Sequence, residues 1–534
     1  MTETSSASIR ITCETMITNA RIITGDGSEM ITGMVGVTGE RIVYVGEARS
    51  FHSDRTIDAQ QRILSPGFID IHGHSDFSIL LYPDAESKIA QGVTTEFIGN
   101  CGLSAAPLYG DAWWRWHGRW KKKNLNVDWQ ESVDYFERVE EKKCGINIAP
   151  LLGHGNLRAA IKNYTGESLT EPEKDDFERL TIESVEKGYW GISLGLAYPP
   201  GIFAARDELA ILFQIAKQHN IPITVHMRDE GDMVEESVDE MLELAERYDT
   251  SLQISHLKAY GSKNWDKIDT IITKIDSVRK TSKSDIHFDR YPYRAFNTDL
   301  DFILPQELFD GGHENAVRKL RDASFRQHLA KYLNDKYTRA DAENIIISSI
   351  IADRKNLIGK TLTEIFDLHD SDFWLNVIEL ISEVECEAEA TFVLMREDNM
   401  PKIFKHPCAM IASDSSVRSY TDEGNPHPRT YGTFPRFLQM VVRDSLMPLE
   451  EAVYKITGLP ALKFGLKERG MIKENCFADL VLWDPDQMTD FSSYTNSKIK
   501  PRGVCKVWIN GREVYDEGKM SSHRAGRLLL KERK

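Results

Sequence analysis

The sequence predicts an α/β fold, a (β/α)8 TIM barrel with a small β-sandwich domain formed from both chain ends. Short apolar runs alternate with helical patterns through the middle of the chain, as expected for parallel strands joined by crossover helices. Short β patterns with turn glycines recur near both ends of the chain. The length of 534 residues is sufficient for one large barrel and a smaller companion domain.

The small β domain is predicted from residues 1–64 together with residues 461–534. Both segments contain short β patterns, at residues 16–24, 34–37, 41–46, 478–485 and 504–514. Because chain ends often lie close together, we expect the two segments to form one domain with the barrel inserted between them.

The barrel is predicted over residues 65–460. Its eight candidate strands end near His72, Cys101, His154, Leu196, His226, His256, Tyr291 and Asp414. Between some of these strands, apolar residues recur at helical intervals, over residues 173–188, 207–219 and 234–248. This order of elements is that of a (β/α)8 barrel.

One interval, residues 305–398, is too long for a single crossover. It contains several helical patterns, including one over residues 314–337. An element inserted after the seventh strand emerges at the mouth of a barrel, so we expect it to cover the pocket as a lid. The alternative is an insertion without a role in the site.

Composition excludes several classes of protein. The hydrophobic content of 41% is ordinary for a globular protein, and the chain has neither a membrane-length apolar run nor a secretory signal. We therefore expect a cytoplasmic protein that does not bind membranes. The net charge of -16 argues against nucleic acid as a partner. The seven cysteines are scattered and lack CxxC pairs, so we expect reduced thiols.

Metal-binding residue types gather at the predicted strand ends. They are His72, His74, Cys101, His226, His256 and Asp414. Each has an ordinary alternative, since a lone histidine or cysteine at a strand end is often a core residue. Because the carboxyl ends of barrel strands meet at one rim, the set instead predicts a metal site. Thiolate with imidazole favours zinc over magnesium or calcium.

A zinc site of this kind predicts hydrolysis by an activated water. Zinc brings the pKa of bound water toward neutrality and polarises a carbonyl oxygen. A carboxylate beside the metal can take the proton of the attacking water and return it to the leaving nitrogen. Asp414 is the candidate for this role, and its alternative role is that of a helix N-cap after the last strand.

Further polar residues just beyond the strand ends are candidates for substrate binding. Arg228, Lys258 and Arg429 carry the positive charge that a carboxylate-bearing substrate needs, and Tyr291 lies beside them in the predicted rim. Individually, each basic residue is otherwise a salt-bridge partner within its loop. Tyr198 can donate to a developing oxyanion, although packing explains it nearly as well.

The motifs resemble those of the amidohydrolase superfamily, and within it the N-acyl-D-amino-acid deacylases (D-aminoacylases). The matching stretches cover most of the chain, at residues 66–74, 91–102, 195–201, 226–230, 256–258, 291–293, 413–414 and 427–436. Gly-Asn-Cys-Gly at residues 99–102 is the most specific, because cysteine stands where many other amidohydrolases carry a carboxylated lysine.

The resemblance implies hydrolysis of an N-acyl-D-amino acid to a D-amino acid and a carboxylate. It implies one tight zinc held by Cys101, His226 and His256, and a neighbouring weaker position lined by His72, His74 and Asp414. It also implies Asp414 as general base and then acid, and carboxylate recognition by Lys258, Tyr291 and Arg429. The preference for the D enantiomer comes from the resemblance alone.

Two departures from the family pattern concern the substrate. Residues 415–418 read Ser-Ser-Val-Arg, where the family commonly has glycine directly after the aspartate. Asn297 stands where a substrate-binding serine is expected. These changes leave the metal chemistry intact and leave the substrate side chain open.

Two other functions remain as alternatives. A cyclic amidase of the hydantoinase or dihydroorotase type would normally carry a bridging lysine on the fourth strand, and residues 191–196 contain none. A non-catalytic assembly protein on the same fold would be expected to have lost metal ligands, whereas all six candidates are present.

Overall fold

The chain begins with five strands in the computed structural model, which describes residues 11–282 and 284–532. They are β1 (Ile11–Ile22), β2 (Ile31–Thr38), β3 (Arg41–Gly46), β4 (Phe51–Asp58) and β5 (Ile63–Pro66). β1 pairs antiparallel with β2 and parallel with both β4 and β5. β4 was not expected, because its sequence is mostly polar and only one of its residues is buried.

Parallel strands alternate with helices in the next part of the chain. The strands are β6 (Phe68–Asp70), β7 (Val93–Ile98), β8 (Asn147–Pro150), β9 (Leu152–Gly153), β10 (Ile192–Gly195), β11 (Ile223–His226), β12 (Leu252–Ile254) and β13 (Ile286–Arg290). The helices are α1 (Ser78–Leu81), α2 (Glu86–Ile89), α3 (Gly110–Lys121), α4 (Ser132–Lys142), α5 (His154–Lys162), α6 (Glu171–Val185), α7 (Arg206–Gln218), α8 (Val234–Tyr248) and α9 (Lys267–Thr281). α6, α7 and α8 lie within a few residues of their predicted positions.

The long interval after β13 contains a sheet as well as helices. The strands β14 (Phe296–Asp299), β15 (Ile345–Ile350) and β16 (Ala388–Phe392) pair antiparallel in the order β14-β16-β15. The helices are α10 (His313–Leu320), α11 (Ala323–Lys336), α12 (Arg339–Ala342), α13 (Leu362–Ile365), α14 (Phe373–Glu383) and α15 (Asn399–Phe404).

This interval differs from the sequence prediction in two ways. The predicted helix over residues 314–337 is two helices, because the Asp322 side chain accepts hydrogen bonds from the backbone N–H groups of Ser324 and Phe325 and so starts a new helix. The three-stranded sheet was missed, because β14 and β15 lie far apart in sequence and are joined only through β16.

The last parallel strand returns next to the first one. The elements here are β17 (Ala409–Ile411), α16 (Arg429–Asp444), α17 (Leu449–Ile456) and α18 (Gly458–Phe464). β17 pairs parallel with β13. Beyond its end, the Asp414 N–H donates to the His72 carbonyl at 2.8 Å, and the His74 N–H donates to the Ser415 carbonyl at 3.1 Å. The segment after β17 is therefore hydrogen-bonded to the segment after β6.

The eight predicted strands are present as parallel strands in two groups. One group has the order β6-β7-β8, and the other has the order β17-β13-β12-β11-β10-β9. A single residue, Leu151, separates β8 from β9, so the two groups share one stretch of chain. The structure is thus an α/β fold with parallel sheets and crossover helices.

Strands from both ends of the chain lie in one nine-stranded sheet. The C-terminal strands are β18 (Leu480–Trp483), β19 (Val504–Ile509), β20 (Arg512–Asp516) and β21 (Lys519–Met520). The order is β21-β20-β19-β18-β5-β1-β2-β3, with β4 paired to β1. The join is antiparallel, with Leu482 of β18 opposite Leu64 of β5.

The state of the cysteines and the character of the helices can be compared with the expectations from composition. All seven cysteines are buried, and none forms a disulfide. No helix within residues 11–282 and 284–532 combines the length and the apolar character that crossing a bilayer requires. The cytoplasmic location stays a prediction.

A buried lysine joins β6, β7 and the segment that follows β17. The fully buried Lys88 Nζ lies 2.7 Å from Asp70 Oδ2 and 3.2 Å from Glu96 Oε1. It also donates to the Ser413 hydroxyl at 2.8 Å and to the Ser415 carbonyl at 3.0 Å. Because these partners flank His72 and Asp414, Lys88 holds the first and last parallel strands in register.

Replacing Lys88 with methionine is expected to destabilise the fold strongly. Lys88→Met leaves the carboxylates of Asp70 and Glu96 buried without their cation, which costs about 3–5 kcal/mol of unfolding free energy. Urea unfolding followed by circular dichroism measures this loss. The exposed Lys187→Met serves as the matched control and should change the unfolding free energy by less than about 0.5 kcal/mol. Equal stability of the two variants would contradict the role of Lys88.

Candidate metal centre and active site

The six predicted metal ligands lie at one end of the parallel strands. His226 ends β11, and the others follow strands within a few residues: His72 and His74 after β6, Cys101 after β7, His256 after β12 and Asp414 after β17. Five are buried, and His74 is the exception, with 29% of its side chain exposed. Parallel strands place their carboxyl ends at one edge, which brings these distant residues together.

Four of the six form one compact group around Cys101. The His72 Nε2 atom lies 3.2 Å from Cys101 Sγ and 3.4 Å from Asp414 Oδ1. The Cys101 Sγ atom lies 3.5 Å from His256 Nε2. One donor atom from each of these four residues lies within 4.8 Å of the other three. The structure therefore brings a thiol, two imidazoles and a carboxyl to one point.

His226 and Glu230 form an adjoining group that shares His256. The Glu230 carboxylate lies 2.8 Å from His256 Nδ1 and 3.5 Å from His226 Nε2. The donor atoms of these three residues also lie within 4.8 Å of one another. His256 also lies 3.5 Å from Cys101 Sγ, so the two groups meet at His256.

The sixth ligand, His74, contacts Asp414 from the open side. Its Nε2 atom lies 3.0 Å from Asp414 Oδ1. The other carboxylate oxygen of Asp414 accepts a hydrogen bond from Arg429 at 2.6 Å. Asp414 therefore lies between the histidines and a guanidinium group.

The charges in this group are those of a metal site. Burial raises the pKa of Cys101, but the imidazoles of His72 and His256 outweigh burial and hold it well below its ordinary value. Burial likewise raises the pKa of Asp414, and Arg429, His256 and His72 hold it well below its ordinary value. A thiolate and a carboxylate surrounded by imidazoles make up a donor set that fits zinc.

Buried residues behind the ligands fix their orientation. The Asp289 carboxylate of β13 lies 3.2 Å from His72 Nδ1. It also accepts a hydrogen bond from the backbone N–H of His256 at 2.8 Å. A side chain at Gly73 would place its Cβ 1.8 Å from Glu96 Oε1, so only glycine fits between the two histidines. Such outer contacts set which imidazole nitrogen faces a metal.

Sequence analysis missed Asp289, Glu230 and Lys88. Glu230 ends the motif stretch at residues 226–230, and Asp289 lies two residues before the stretch at residues 291–293. Their acidic character next to a metal ligand or a strand end is the signal that would have indicated an orienting role. Lys88 carries no such signal, because its burial depends on the packing of the short helix α2.

Lys258, Tyr291 and Arg429 lie around this centre. Lys258 Nζ lies 2.5 Å from Glu230 Oε2 and 3.0 Å from His256 Nδ1. The Arg429 guanidinium lies 4.7 Å from the centre of the Tyr291 ring. The Tyr291 hydroxyl is buried without a hydrogen-bond partner among the described residues, so it is free to bind a ligand.

Tyr198 lies beside His226, and the guanidinium group of Arg228 is bound by its own loop contacts. The Tyr198 ring lies 4.8 Å from the His226 ring, and its hydroxyl lies 3.2 Å from that of Thr298. Arg228 binds the Glu240 carboxylate at 2.9 Å and donates to the carbonyls of Ile202 and Ala204. Arg228 therefore makes the salt bridge that was the alternative to substrate binding. It also lines the cavity next to His226.

The long interval after β13 forms the outer wall of a cavity at this site. The cavity measures about 180 Å³ and is lined by His226 and Glu230 on the strand side. Phe302, Tyr332 and Lys336 also line this cavity. Residues of the interval thus share a cavity with strand-end residues, and the role of a lid stays a prediction.

The two alternative functions lack support at the site. β10 reads Ile-Ser-Leu-Gly and supplies no bridging lysine of the kind a cyclic amidase would carry. A protein that had lost its metal would be expected to have lost some of the ligands, whereas all six candidates are present at the strand ends.

The chain is similar to several known deacylases. It is 32% identical over 524 residues to an N-acyl-D-glutamate deacylase from Alcaligenes xylosoxydans xylosoxydans, covering 96% of this chain and 95% of that protein. It is 29% identical to an N-acyl-D-aspartate deacylase from the same organism, covering 96% and 94% of the two chains.

The chain is also similar to a deacylase of known crystal structure. The crystal structure of N-acyl-D-glutamate deacylase from Bordetella bronchiseptica, complexed with zinc and a phosphonate inhibitor that mimics the tetrahedral intermediate, superposes with a TM-score of 0.81. It is 29% identical to this chain and covers 97% of this chain and 100% of its own.

A family model matches more than half of the chain. The match covers residues 55–265 and 398–515 and leaves out the long interval after β13 that forms the cavity wall. The matched residues include all six candidate metal ligands at the strand ends. The chain therefore belongs to the amidohydrolase family.

Proposed function

We propose that this protein is a zinc-dependent N-acyl-D-amino-acid deacylase. It would hydrolyse the amide bond of an N-acyl-D-amino acid and release a D-amino acid and a carboxylate. The observation that carries the proposal is the packing of Cys101, His72, His256 and Asp414 within 4.8 Å at the strand ends. The similarity to D-glutamate and D-aspartate deacylases supports the substrate class.

Cys101, His226 and His256 are proposed as the ligands of one tightly bound zinc. His72, His74 and Asp414 line a second, weaker position, and Cys101 contacts both. When bound, zinc acidifies a water and polarises the amide carbonyl. Glu230 and Asp289 contribute by holding His256 and His72 in the required orientation.

Asp414 is proposed as the general base and then the general acid. Its carboxylate is ionised because Arg429 and the imidazoles hold its pKa low. It can therefore take the proton of the attacking water and deliver it to the leaving nitrogen. His74, 3.0 Å away, and Arg429, 2.6 Å away, keep the carboxylate in one orientation for both transfers.

Lys258, Tyr291 and Arg429 are proposed to bind the substrate carboxylate. Two cations and an unpartnered hydroxyl suit a carboxylate, which accepts several hydrogen bonds. Tyr198 lies beside His226 on the other side of the centre, where it can donate to the oxyanion. Arg228 is proposed only as part of the wall, since Glu240 occupies its guanidinium.

The fold is proposed to be a closed (β/α)8 barrel with a β-sandwich domain. The bridge between Gly73 and Ser415 and the continuity of β8 with β9 support closure of the eight strands. We propose the barrel over residues 65–460 and the small domain from residues 1–64 and 461–534. The insertion, predicted over residues 305–398, is proposed to be the lid and to begin at β14.

The proposal predicts selective hydrolysis of D substrates. The zinc-loaded protein should release acetate from N-acetyl-D-amino acids at least about 100-fold faster than from the L enantiomers, since a wrong enantiomer misplaces the amide relative to the base. Paired D and L substrates followed by acetate release measure this ratio. Hydrolysis of 5,6-dihydrouracil or hydantoin without turnover of any N-acetyl-D-amino acid would favour the cyclic amidase instead.

Removing the carboxylate of Asp414 should stop turnover and spare the tight zinc. Asp414→Asn is expected to lower kcat by about 10²–10⁴-fold, because proton transfer is lost while Cys101, His226 and His256 remain. Steady-state kinetics with parallel metal analysis measure both effects. The exposed Asp444→Asn is the matched control and should keep wild-type kcat. A near-normal rate in Asp414→Asn would remove the assigned base.

Removing the thiol should instead remove the metal. Cys101→Ala is expected to bind zinc at least about 10-fold more weakly, because the thiolate is a direct ligand. Zinc competition against a fluorescent chelator measures this affinity. Cys144→Ala, at a buried cysteine outside the site, is the matched control. Full zinc affinity in Cys101→Ala would show that the metal is held by other residues.

A further inference from the structure

A second group of charged residues lies between α3 and the sheet of the insertion. We name Arg119, Lys123 and Arg418 the basic cluster. Arg119 lies 3.6 Å from Glu389 of β16 and 3.7 Å from Asp299 of β14. Arg418 approaches Glu389 from the loop after β17, at 3.8 Å. Burial raises the pKa of Glu389, but Arg418, Lys123 and Arg119 bring it below its ordinary value.

The basic cluster has more positive charge and more donors than its own partners use. Three cations face the carboxylates of Asp299 and Glu389. A further carboxylate near Arg119, that of Glu387, is paired with Lys122 at 2.5 Å. Burial and the neighbouring Asp299 raise the pKa of Asp301, which favours the uncharged form of that carboxyl. Among the described residues, the guanidinium groups of Arg119 and Arg418 make ion pairs of 3.6, 3.7 and 3.8 Å, which are longer than a hydrogen bond. A net positive group with unused donors favours an anionic ligand.

Solvent can reach the basic cluster. The side chains of Arg119 and Arg418 are 37% and 26% exposed, and that of His74 at the metal centre is 29% exposed. Arg418 follows Asp414 by only four residues in the chain. A ligand can thus contact the cluster without displacing the buried core.

The cluster is connected to the proposed substrate site through Asn297. The Asn297 carbonyl lies 3.4 Å from Arg429 Nη2, and Asn297 lies opposite Thr391 in the pairing of β14 with β16, on the same strand as Glu389. Arg429 in turn holds Asp414. The basic cluster therefore adjoins Arg429, one of the residues proposed to bind the carboxylate of the amino acid.

We propose that Arg119 and Arg418 form a specificity site that binds a second carboxylate of the substrate, the one on the side chain of an acidic D-amino acid. The inference rests on the proposed deacylase function and deepens it by naming N-acyl-D-glutamate and N-acyl-D-aspartate as the substrate class. Lys123 adds positive charge, and Glu389 brings the two guanidinium groups to one place because it lies 3.6 Å from Arg119 and 3.8 Å from Arg418.

The test compares substrates that differ only in the second charge. Wild-type protein is expected to show kcat/KM at least about 10-fold higher for N-acetyl-D-glutamate than for N-acetyl-D-glutamine. Arg418→Gln and Arg119→Gln should each lower kcat/KM for the glutamate substrate by about 10- to 100-fold and change that for the glutamine substrate by less than about 3-fold. Arg418→Lys should restore part of the preference because it restores the charge.

Controls separate this inference from the proposed function. Arg179→Gln, at an exposed arginine on α6, should leave both substrates unaffected. N-succinyl-D-leucine against N-acetyl-D-leucine tests for a second carboxylate on the acyl group, and a preference there without one for D-glutamate would overturn the side-chain assignment. Equal turnover of the glutamate and glutamine substrates by the wild type would overturn the specificity site alone. Turnover of no N-acyl-D-amino acid would overturn the proposed function and this inference together.

Discussion

The site depends on one constraint: two anions, the Cys101 thiolate and the Asp414 carboxylate, are buried side by side among imidazoles. Burying unpaired negative charge is costly, so both groups need cations close to them. His72, His256 and Arg429 lower the pKa values of these two groups, and bound zinc would add further positive charge at the same point. The carboxylates of Asp289 and Glu230 lie outside this group and bind the far nitrogens of the histidines. Each charge in the centre thus has a partner of opposite sign.

The geometry of parallel strands explains how distant residues satisfy this constraint. Side chains alternate along a strand, so His72 and His74 face the centre together while residue 73 faces Glu96. Lys88 pairs with Asp70 of β6 and donates hydrogen bonds to Ser413 and Ser415 after β17, and these contacts keep Asp414 opposite His72. The network that stabilises the fold at this edge is therefore also the one that positions the proposed base.

The parts of the protein that the sequence predicts well are those set by short-range pattern. The parallel strands, helices such as α8 and the convergence of six ligands follow from periodicity and from the rule that strand ends meet at one edge. β4 and the sheet β14-β16-β15 depend on partners distant in the chain, and local pattern does not reveal such pairing. Arg228 looked like a substrate contact because it follows His226, yet the position of Glu240 on α8 decides where its guanidinium goes. Asp289, Glu230 and Lys88 become significant only once the fold shows what surrounds them.

The most direct measurement of the central claim is X-ray absorption at the zinc edge of the purified protein. If Cys101 holds the tight zinc together with His226 and His256, the first shell contains one sulfur at about 2.3 Å together with nitrogen and oxygen neighbours at about 2.0–2.2 Å. A first shell of nitrogen and oxygen alone in stoichiometrically loaded, active protein would contradict the account, because the thiolate would then lie outside the metal centre.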